Sequence, residues 1–166
     1  MILHKISFFI PKIYMPDKKL INVLLADDDE DDRNFFVIAL KKVSVPSKLV
    51  CVNDGEELMN YLSKSKSKLP DILFLDINMP RKNGYECLVE IKANAHTKNV
   101  PVIMYSTSLK DSMADMLYEN GAGYYLRKSG LADLDKYLLL LLTMLQEKTL
   151  QKPVREEFAL NEMRAV

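Results

Sequence analysis

Short apolar runs alternate with longer amphipathic stretches along most of this sequence, from Ile21 onward. Apolar runs without polar interruptions favour strands buried on both faces, as in a parallel sheet, whereas apolar positions that recur every three or four residues favour helices. The predicted strands are residues 23–26, 49–52, 72–75, 100–105 and 124–126. The predicted helices are residues 31–43, 56–63, 85–93, 110–120 and 131–148.

This alternation of strands and helices predicts the α/β class, with a doubly wound parallel sheet and right-handed crossovers. In the first helix, Phe35, Ile38 and Ala39 have the spacing of a buried face. The acidic residues that precede them suit the positive end of the helix dipole. We therefore expect that face to pack against the sheet.

The pattern predicts one domain over residues 20–148, with an extension over residues 1–19 and a charged tail over residues 149–166. The apolar run at residues 6–10 is too short for a membrane span, and Pro11 ends it without a signal-peptide cleavage site. The residues after Lys148 are too few for a separate effector domain. We expect a cytoplasmic protein.

Basic and acidic side chains are equal in number, with 23 of each. This balance gives no indication of nucleic acid or an anionic membrane as a partner. The two cysteines, Cys51 and Cys87, have neither metal-ligand spacing nor a disulfide-rich setting. We expect reduced thiols, with a buried structural role favoured over a reactive one.

Polar side chains follow the first, third, fourth and fifth predicted strands at the point where each strand ends. They are Asp27 and Asp28, Asp76, Ser106, and Lys128. The carboxyl ends of parallel strands meet at one edge of the sheet, where open α/β sheets bind ligands. A lone aspartate at a strand end is most often a helix cap, but polar groups at four strand ends favour a shared site. Clustered carboxylates repel unless a cation neutralises them, and Mg²⁺ prefers such oxygen ligands.

Read together with the segment 76–80 and with Asn83-Gly84, these residues resemble the motifs of response regulator receiver domains from two-component signalling. The resemblance extends from about residue 20 to residue 147. It implies a flavodoxin-like sheet of strand order 2-1-3-4-5, with helices on both faces. The acidic run at residues 29–32 and the pair Lys128-Ser129 are similar to those of stand-alone receivers that partner phytochrome-type histidine kinases.

The resemblance implies a role in phosphoryl transfer for several residues. Asp76 matches the phosphoacceptor, Ser106 the hydroxyl that contacts the phosphoryl group, and Lys128 its ammonium partner. Tyr125 matches the aromatic residue that changes rotamer on activation, so Ser106 and Tyr125 are the implied switch. The implied function is to accept a phosphoryl group from a sensor histidine kinase or a histidine phosphotransfer protein. The signal to a downstream protein target would be conformational, and we expect no enzymatic activity.

The resemblance also implies a set of ligands for Mg²⁺. Asp28 matches the carboxylate that binds the metal directly, and Asp27 matches the second acidic residue, which usually acts through water. Asn78 matches the position that provides a backbone carbonyl, and Asp76 completes the metal site.

Two positions depart from the usual pattern of receivers. Ser129 stands where most receivers have a proline in a cis peptide, and a non-proline cis bond costs ~2.5–4 kcal/mol. The geometry of that loop therefore stays open. Thr107 stands beside the expected phosphoryl pocket, where the residue is often alanine, and its bulk restricts access to the site.

Two other classes of function compete with this interpretation. A hydrolase of the haloacid dehalogenase type also uses an aspartate and Mg²⁺, but it has two aspartates that flank one residue after the first strand. The segment Asp28-Asp29-Glu30 lacks that pattern. A receiver-like binding module that never accepts phosphate typically loses the aspartate or the lysine, and both Asp76 and Lys128 are present.

The last predicted helix is apolar around more of its circumference than one sheet-facing stripe requires, because residues 137–142 are all apolar. Some of these leucines must point away from the sheet. Neighbouring helices or the tail from Pro153 onward could cover them. Alternatively, the helix and the adjoining strand edge could form a homodimer.

Overall fold

The computed structural model describes residues 19–65, 68–107, 110–128 and 131–160. The strands are β1 Ile21–Ala26, β2 Ser47–Val52, β3 Ile72–Leu75, β4 Val102–Ser106 and β5 Tyr124–Arg127. The helices are α1 Glu30–Lys42, α2 Gly55–Lys64, α3 Gly84–Ala93, α4 Asp111–Glu119 and α5 Leu131–Gln146, followed by a 3₁₀ turn, Arg155–Glu157. The strands form one parallel sheet in the order β2-β1-β3-β4-β5. The predicted α/β class and strand order 2-1-3-4-5 are confirmed.

The two faces of the sheet carry two separate hydrophobic clusters, because successive strand residues point to opposite sides. Leu24 and Leu73 belong to the cluster that packs against α2, α3 and α4. Leu25 and Phe74 belong to the cluster that packs against α1 and α5. All four side chains are fully buried. The sheet is thus covered on both faces, which leaves its ends and outer strands for contacts with other molecules.

Polar side chains start the three helices that follow β1, β2 and β3. Asp29, Asp54 and Asn83 each accept a hydrogen bond from a backbone N–H in the first turn of α1, α2 and α3, respectively. Such caps satisfy amides that have no partner within the helix. Each cap lies in the loop between its helix and the preceding strand and helps to fix that loop. These loops lie at the carboxyl ends of the strands, where the predicted polar site is located.

The buried face of α1 differs from the predicted one. Phe36, Ala39 and Leu40 are buried, whereas Phe35 and Ile38 are 40% and 45% exposed. The prediction was wrong for Phe35 and Ile38 because residues 35–40 contain two overlapping apolar stripes of helical spacing. Packing selects between them: the Phe36 ring meets Phe74 edge-on at 4.9 Å and Tyr105 at 5.7 Å.

The fourth strand begins two residues later than predicted, at Val102. Pro101 has no N–H and cannot donate to a neighbouring strand, although its carbonyl oxygen accepts a hydrogen bond from the Leu73 N–H at 2.9 Å. Val100 is buried but lies before the strand.

The two cysteines have different environments. Cys87 is fully buried in the core, and burial raises the pKa of its thiol to about 11. Cys51 lies exposed on the outer strand β2, so the predicted buried role does not apply to it. Both are free thiols.

Residues 149–160, predicted as part of a charged tail, pack against α4 and β5. Phe158 is fully buried, and its ring meets Tyr118 edge-on at 5.6 Å. Its carbonyl oxygen accepts a hydrogen bond from the Tyr125 N–H at 2.8 Å, and Ala159 pairs with Tyr125 as a parallel bridge. Arg155 forms an ion pair with Asp115 at 2.7 Å. This segment thus occupies part of the free edge of β5.

The leucines of α5 divide between the core and the surface, as the sequence predicted. Leu138, Leu141 and Leu142 are fully buried, whereas Leu139 and Leu140 are 42% and 46% exposed. None of the helices in the described part of the chain has both the length and the apolar character of a membrane span. The predicted extension lies outside the described residues up to position 18, and the domain limits of 20 and 148 stay predictions.

Candidate functional site

The backbone ladder of the sheet continues past the strand ends and holds three of the predicted site residues. The Asp27 N–H donates to the Val52 carbonyl at 3.1 Å, and the Asp76 N–H donates to the Ala26 carbonyl at 2.9 Å. The Lys128 N–H donates to the Ser106 carbonyl at 2.9 Å. These residues therefore begin the loops at one edge of the sheet, as the predicted architecture requires.

Three aspartates form an acidic cluster at this edge. Carboxylate oxygens of Asp27, Asp28 and Asp76 lie within 4.8 Å of one another. Asp27 is fully buried and Asp76 is 5% exposed, whereas Asp28 is exposed to solvent. The structure thus brings together the three carboxylates that the sequence proposed as metal ligands.

The Lys128 ammonium lies close to two of these carboxylates, Asp27 and Asp76, and to a further one, Asp32. Its Nζ atom is 2.8 Å from Asp27 Oδ2, 2.8 Å from Asp32 Oδ2 and 3.3 Å from Asp76 Oδ2. The side chain is only 6% exposed, and Nζ also lies 5.3 Å from the centre of the Tyr105 ring. One buried cation therefore offsets part of the charge of three carboxylates.

Asp32 is a site residue that the sequence analysis did not single out. It belongs to the acidic run at residues 29–32, which by itself predicts only the start of a helix and resembles that of the phytochrome-associated receivers. Because α1 begins at Glu30, Asp32 falls in the first turn of that helix. A first turn that directly follows a strand end directs some side chains back towards that end. The acidic run predicts carboxylates near the strand end, but nothing in the sequence distinguishes Asp32 from its neighbours in that run.

Burial and charge have opposite effects on the ionisable groups of the site. Burial raises the pKa of Asp27 to about 6, although the Lys128 ammonium and the Asp29 N–H both favour the carboxylate. For Lys128, burial alone would lower the pKa, but hydrogen bonds to Asp27 and Asp32 and the charge of Asp76 raise it above its ordinary value. Lys128 is therefore a permanent cation, whereas Asp27 is costly to ionise without further positive charge.

Two buried oxygens of the site have no hydrogen-bond partner among the described residues: Asp76 Oδ1 and Ser106 Oγ. Buried polar atoms are rarely left without partners, because each such atom costs about 1–3 kcal/mol. A ligand set made only of oxygens suits a hard divalent cation such as Mg²⁺. The residues present therefore fit a small divalent cation, and the Ser106 hydroxyl fits an additional acceptor.

Ser106 is linked to the predicted switch residue Tyr125. The Tyr125 hydroxyl donates a hydrogen bond to the Ser106 carbonyl oxygen at 3.0 Å, and its side chain is 1% exposed. The aromatic ring is thus directed inward in this structure. Its backbone contacts the tail at Phe158, so one residue connects the site to the outer strand edge.

The loop after Asp76 is held close to the backbone of that residue. The Gly84 N–H donates to the Ile77 carbonyl at 2.9 Å, and a Cβ atom at Gly84 would lie only 2.0 Å from the Asp76 carbonyl oxygen. The pair Asn83-Gly84 therefore starts α3 where no side chain fits. Asn78 is exposed in this loop.

Of the two positions that depart from the receiver pattern, Thr107 lies in the described part of the chain and Ser129 does not. Thr107 directly follows Ser106 and is exposed, so it lies at the surface beside the site. The peptide bond between Lys128 and Ser129 therefore lies outside the described residues.

Comparison with known proteins decides the family. Residues 23–138 match the response regulator receiver domain. The chain belongs to this family. It is 34% identical over 119 residues to the response regulator Rcp1 of Synechocystis sp., a match that covers 69% of this chain and 81% of Rcp1.

Solved structures of receivers support the same fold. A Mn²⁺-bound form of Rcp1 superposes with a TM-score of 0.69 at 31% identity, covering 81% of this chain and 99% of that one. A phosphorylated cyanobacterial phytochrome response regulator, RcpA, superposes with a TM-score of 0.66 at 31% identity, covering 82% of this chain and 98% of that one. This receiver is therefore similar over most of its length to proteins solved with a metal or with a phosphoryl group.

Proposed function

We propose that this receiver accepts a phosphoryl group on Asp76 and transmits a conformational signal through Ser106 and Tyr125. One observation carries the proposal. The Lys128 ammonium lies 3.3 Å from Asp76 Oδ2, while the buried Asp76 Oδ1 and Ser106 Oγ have no hydrogen-bond partner in the described part of the chain. This arrangement combines a nucleophilic carboxylate with a cation and a free hydroxyl, which are the groups that a phosphoryl acceptor needs.

In the proposed reaction, a carboxylate oxygen of Asp76 attacks the phosphorus of a phosphohistidine. A P–O bond forms while the P–N bond breaks, and the leaving imidazole keeps the bonding electron pair and takes up a proton. Such transfers depend mainly on positioning and on neutralisation of the phosphoryl oxygens. Lys128 would neutralise one oxygen, and the Ser106 hydroxyl would donate a hydrogen bond to another.

We further propose that the acidic cluster holds Mg²⁺, with Asp28 and Asp76 as direct ligands, Asp27 acting through water, and the Asn78 carbonyl as an additional ligand. When bound, the cation would neutralise charge on the carboxylates and on the phosphoryl group. The clustered oxygens within 4.8 Å support this site. The Mn²⁺-bound form of the relative Rcp1 supports it as well.

The proposed switch uses the two groups of Ser106. Its hydroxyl would turn towards the phosphoryl group, and its carbonyl already accepts the hydrogen bond of Tyr125. A shift of the Ser106 backbone would therefore change the position of the Tyr125 ring. An added phosphoryl charge is a sufficient cause for such a two-state shift.

The proposed phosphodonor is a sensor histidine kinase of the phytochrome type or a histidine phosphotransfer protein, and the proposed recipient is a protein target in the cytoplasm. Similarity to RcpA, a phytochrome response regulator, supports the kinase class. The chain would act as a signalling module and not as an enzyme that turns over a substrate. Neither nucleic acid nor a membrane surface is part of this proposal.

We also propose self-association through α5. Leu139 and Leu140 are adjacent and about half exposed on that helix. The tail occupies β5 at Tyr125, so the helix and not the strand edge would be the contact surface. Sedimentation of the parent and of the variant Leu139→Glu/Leu140→Glu at micromolar concentrations, with and without phosphodonor, tests this. A parent protein that stays monomeric under every condition would exclude the dimer.

Incubation with acetyl phosphate and Mg²⁺ tests the main function. We expect one phosphoryl group to be retained on the protein, and we expect none on the variant Asp76→Asn. An unlabelled parent protein would favour a binding module that works without phosphate. Continuous release of phosphate over many turnovers would instead favour a hydrolase.

A further inference from the structure

We propose that Asp32 is a positioning residue that acts through Lys128 and holds its ammonium partly away from Asp76 until a phosphoryl group arrives. This inference rests on the proposed phosphoryl transfer at Asp76. It adds a fourth acidic residue to the site, one to which the resemblance assigns no role and which lies outside the cluster of Asp27, Asp28 and Asp76.

The contacts of Lys128 Nζ identify Asp32 as a principal partner. Nζ donates a hydrogen bond to Asp32 Oδ2 at 2.8 Å, whereas the distance to Asp76 Oδ2 is 3.3 Å. The distance to Asp27 Oδ2 is also 2.8 Å. The ammonium is therefore closer to Asp27 and Asp32 than to the proposed nucleophile.

Local structure fixes Asp32 in this place. The Asp29 carboxylate accepts hydrogen bonds from the N–H groups of Asp31 and Asp32, at 2.8 Å and 3.1 Å. The Arg33 guanidinium donates to the Asp27 carbonyl at 2.8 Å, which ties the first turn of α1 to the end of β1. The backbone of Asp32 is thus fixed by the helix start, which places its side chain next to the site, and its carboxylate contacts Lys128 there.

Exposure distinguishes Asp32 from the other two partners. Its side chain is 26% exposed, whereas those of Asp27 and Asp76 are 0% and 7% exposed. An aspartate with access to water loses little when a cation leaves it, because water replaces the ion pair. The ammonium can therefore leave Asp32 at lower cost than it can leave the fully buried Asp27.

Two consequences follow for the resting site. Without Asp32, the ammonium would shift towards Asp76, where it would pair with the nucleophile and compete with a divalent cation for the same carboxylate. With Asp32, Asp76 stays accessible, and the ammonium can move to the phosphoryl oxygens once they arrive. Asp32 would thus favour phosphorylation without contacting the reacting atoms.

The test compares Asp32→Asn with Asp31→Asn in two backgrounds, the parent and Lys128→Gln. Asp31 lies next to Asp32 in the same first turn, is exposed, and has no ion pair among the described residues, so its variant is matched for charge and for the helix dipole. Two quantities are measured: the rate constant of phosphorylation by acetyl phosphate, and the affinity for Mn²⁺ followed by paramagnetic relaxation.

In the parent background, we expect Asp32→Asn to lower both quantities by about threefold to tenfold, the size typical of one charged pair. The phosphoryl group, once formed, should not be lost faster. In the Lys128→Gln background, we expect Asp32→Asn to lower the Mn²⁺ affinity no more than Asp31→Asn does. Equal losses in both backgrounds, or equal losses for the two asparagine variants, would overturn the role of Asp32.

The two readouts separate this inference from the proposed function. Mn²⁺ affinity reports on the Lys128 position even in a protein that is never phosphorylated. A parent protein without labelling would therefore refute phosphoryl transfer, whereas the metal titration would still decide whether Asp32 acts through Lys128.

Discussion

The hydroxyl of Tyr125 and the backbone carbonyl of Ser106 are joined by a buried hydrogen bond of 3.0 Å. The same carbonyl accepts the Lys128 N–H at 2.9 Å, and the Tyr125 N–H donates to the Phe158 carbonyl at 2.8 Å. A chain of hydrogen bonds therefore runs from the start of the Lys128 loop, through Ser106 and Tyr125, to the tail. A movement of the Ser106 backbone would therefore displace Tyr125, which contacts the tail at the outer edge of the sheet.

Replacing Tyr125 with phenylalanine should remove one link of this chain. We expect Tyr125→Phe to lower the free energy of unfolding by about 1 kcal/mol, because a buried hydrogen bond is lost while the Ser106 carbonyl keeps the Lys128 N–H. Urea unfolding measures the change. Tyr124→Phe is the control, since no hydrogen bond of its hydroxyl to a described residue is present and a smaller change is expected. Equal losses for the two variants would contradict the assigned contact.

Truncation of Phe158 should release the tail from β5. Its ring is fully buried, and loss of a buried phenylalanine ring typically costs about 3–5 kcal/mol. The cost here is limited by the free energy of docking the tail, because the segment can detach while the sheet stays folded. Hydrogen exchange of the Tyr125 amide should therefore become faster in Phe158→Ala. Val154→Ala is the control, because Val154 is 58% exposed. Unchanged protection of the Tyr125 amide in Phe158→Ala would show that the tail contributes little to the stability of β5.

The raised pKa of Asp27 predicts a pH-dependent stability in the absence of divalent cations. The pKa is about 6 in the folded protein and 3.8 without the fold, so the folded state binds more protons between these values. The contribution of the raised Asp27 pKa to the free energy of unfolding is fully present below pH 3.8 and is lost as the pH rises through about 6. The variant Asp27→Asn avoids the free-energy cost of ionising this buried carboxyl group. Its free energy of unfolding relative to that of the parent should therefore be larger at pH 7.5 than at pH 4, by up to ~3 kcal/mol.

Unfolding by urea in the presence of EDTA, for the parent and for Asp27→Asn, measures this difference. The pH dependence of the contact between Lys128 and Asp27 is already contained in the pKa of Asp27, because Lys128 stays charged over this range, so the slope is the quantity to compare. Addition of Mg²⁺ at pH 7.5 should stabilise the parent more than the variant, because the variant keeps the direct ligands Asp28 and Asp76 but has one negative charge fewer. A stability difference that is independent of pH would contradict the raised pKa.

The close approach of Gly84 to the backbone of Asp76 predicts a strong effect of one methyl group. A Cβ atom there would lie 2.0 Å from the Asp76 carbonyl oxygen, whereas a Cβ at Gly123 would meet its nearest neighbour at 3.4 Å. We expect Gly84→Ala to destabilise the protein by about 1–3 kcal/mol or more, because backbone atoms must shift. Gly123→Ala should have a much smaller effect. Similar losses for both variants in urea unfolding would contradict the steric argument.

The sequence predicted the sheet and the core of the site because both depend on short local patterns. The apolar run 72–75 favours a buried strand because it is short and Pro80 follows it closely, and the residues after parallel strands meet at one edge of the sheet. The face of α1 could not be predicted in the same way, since Phe35 and Phe36 both fit an apolar stripe of helical spacing. Only contact with Phe74 and Tyr105 selects between them.

Two features required contacts between distant parts of the chain. The pairing of Asp32 with Lys128 joins residues 96 positions apart, and an acidic run at a helix start gives no indication of which carboxylate turns inward. The docking of Phe158 depends on a pocket formed by α4 and β5, and a single aromatic residue among charged neighbours has no periodic pattern. Such features depend on tertiary packing, which single-sequence patterns do not encode.

Identifying the residue that carries the phosphoryl group is the most direct test of phosphoryl transfer to Asp76. After incubation with acetyl phosphate and Mg²⁺, the acyl phosphate is reduced with borohydride, which converts the modified aspartate into homoserine, and the peptides are mapped by mass spectrometry. We expect homoserine at position 76 alone, and none in protein incubated without phosphodonor. Modification mainly at another carboxylate, or none at all in a folded protein that binds Mg²⁺, would contradict the proposal that Asp76 is the phosphoacceptor.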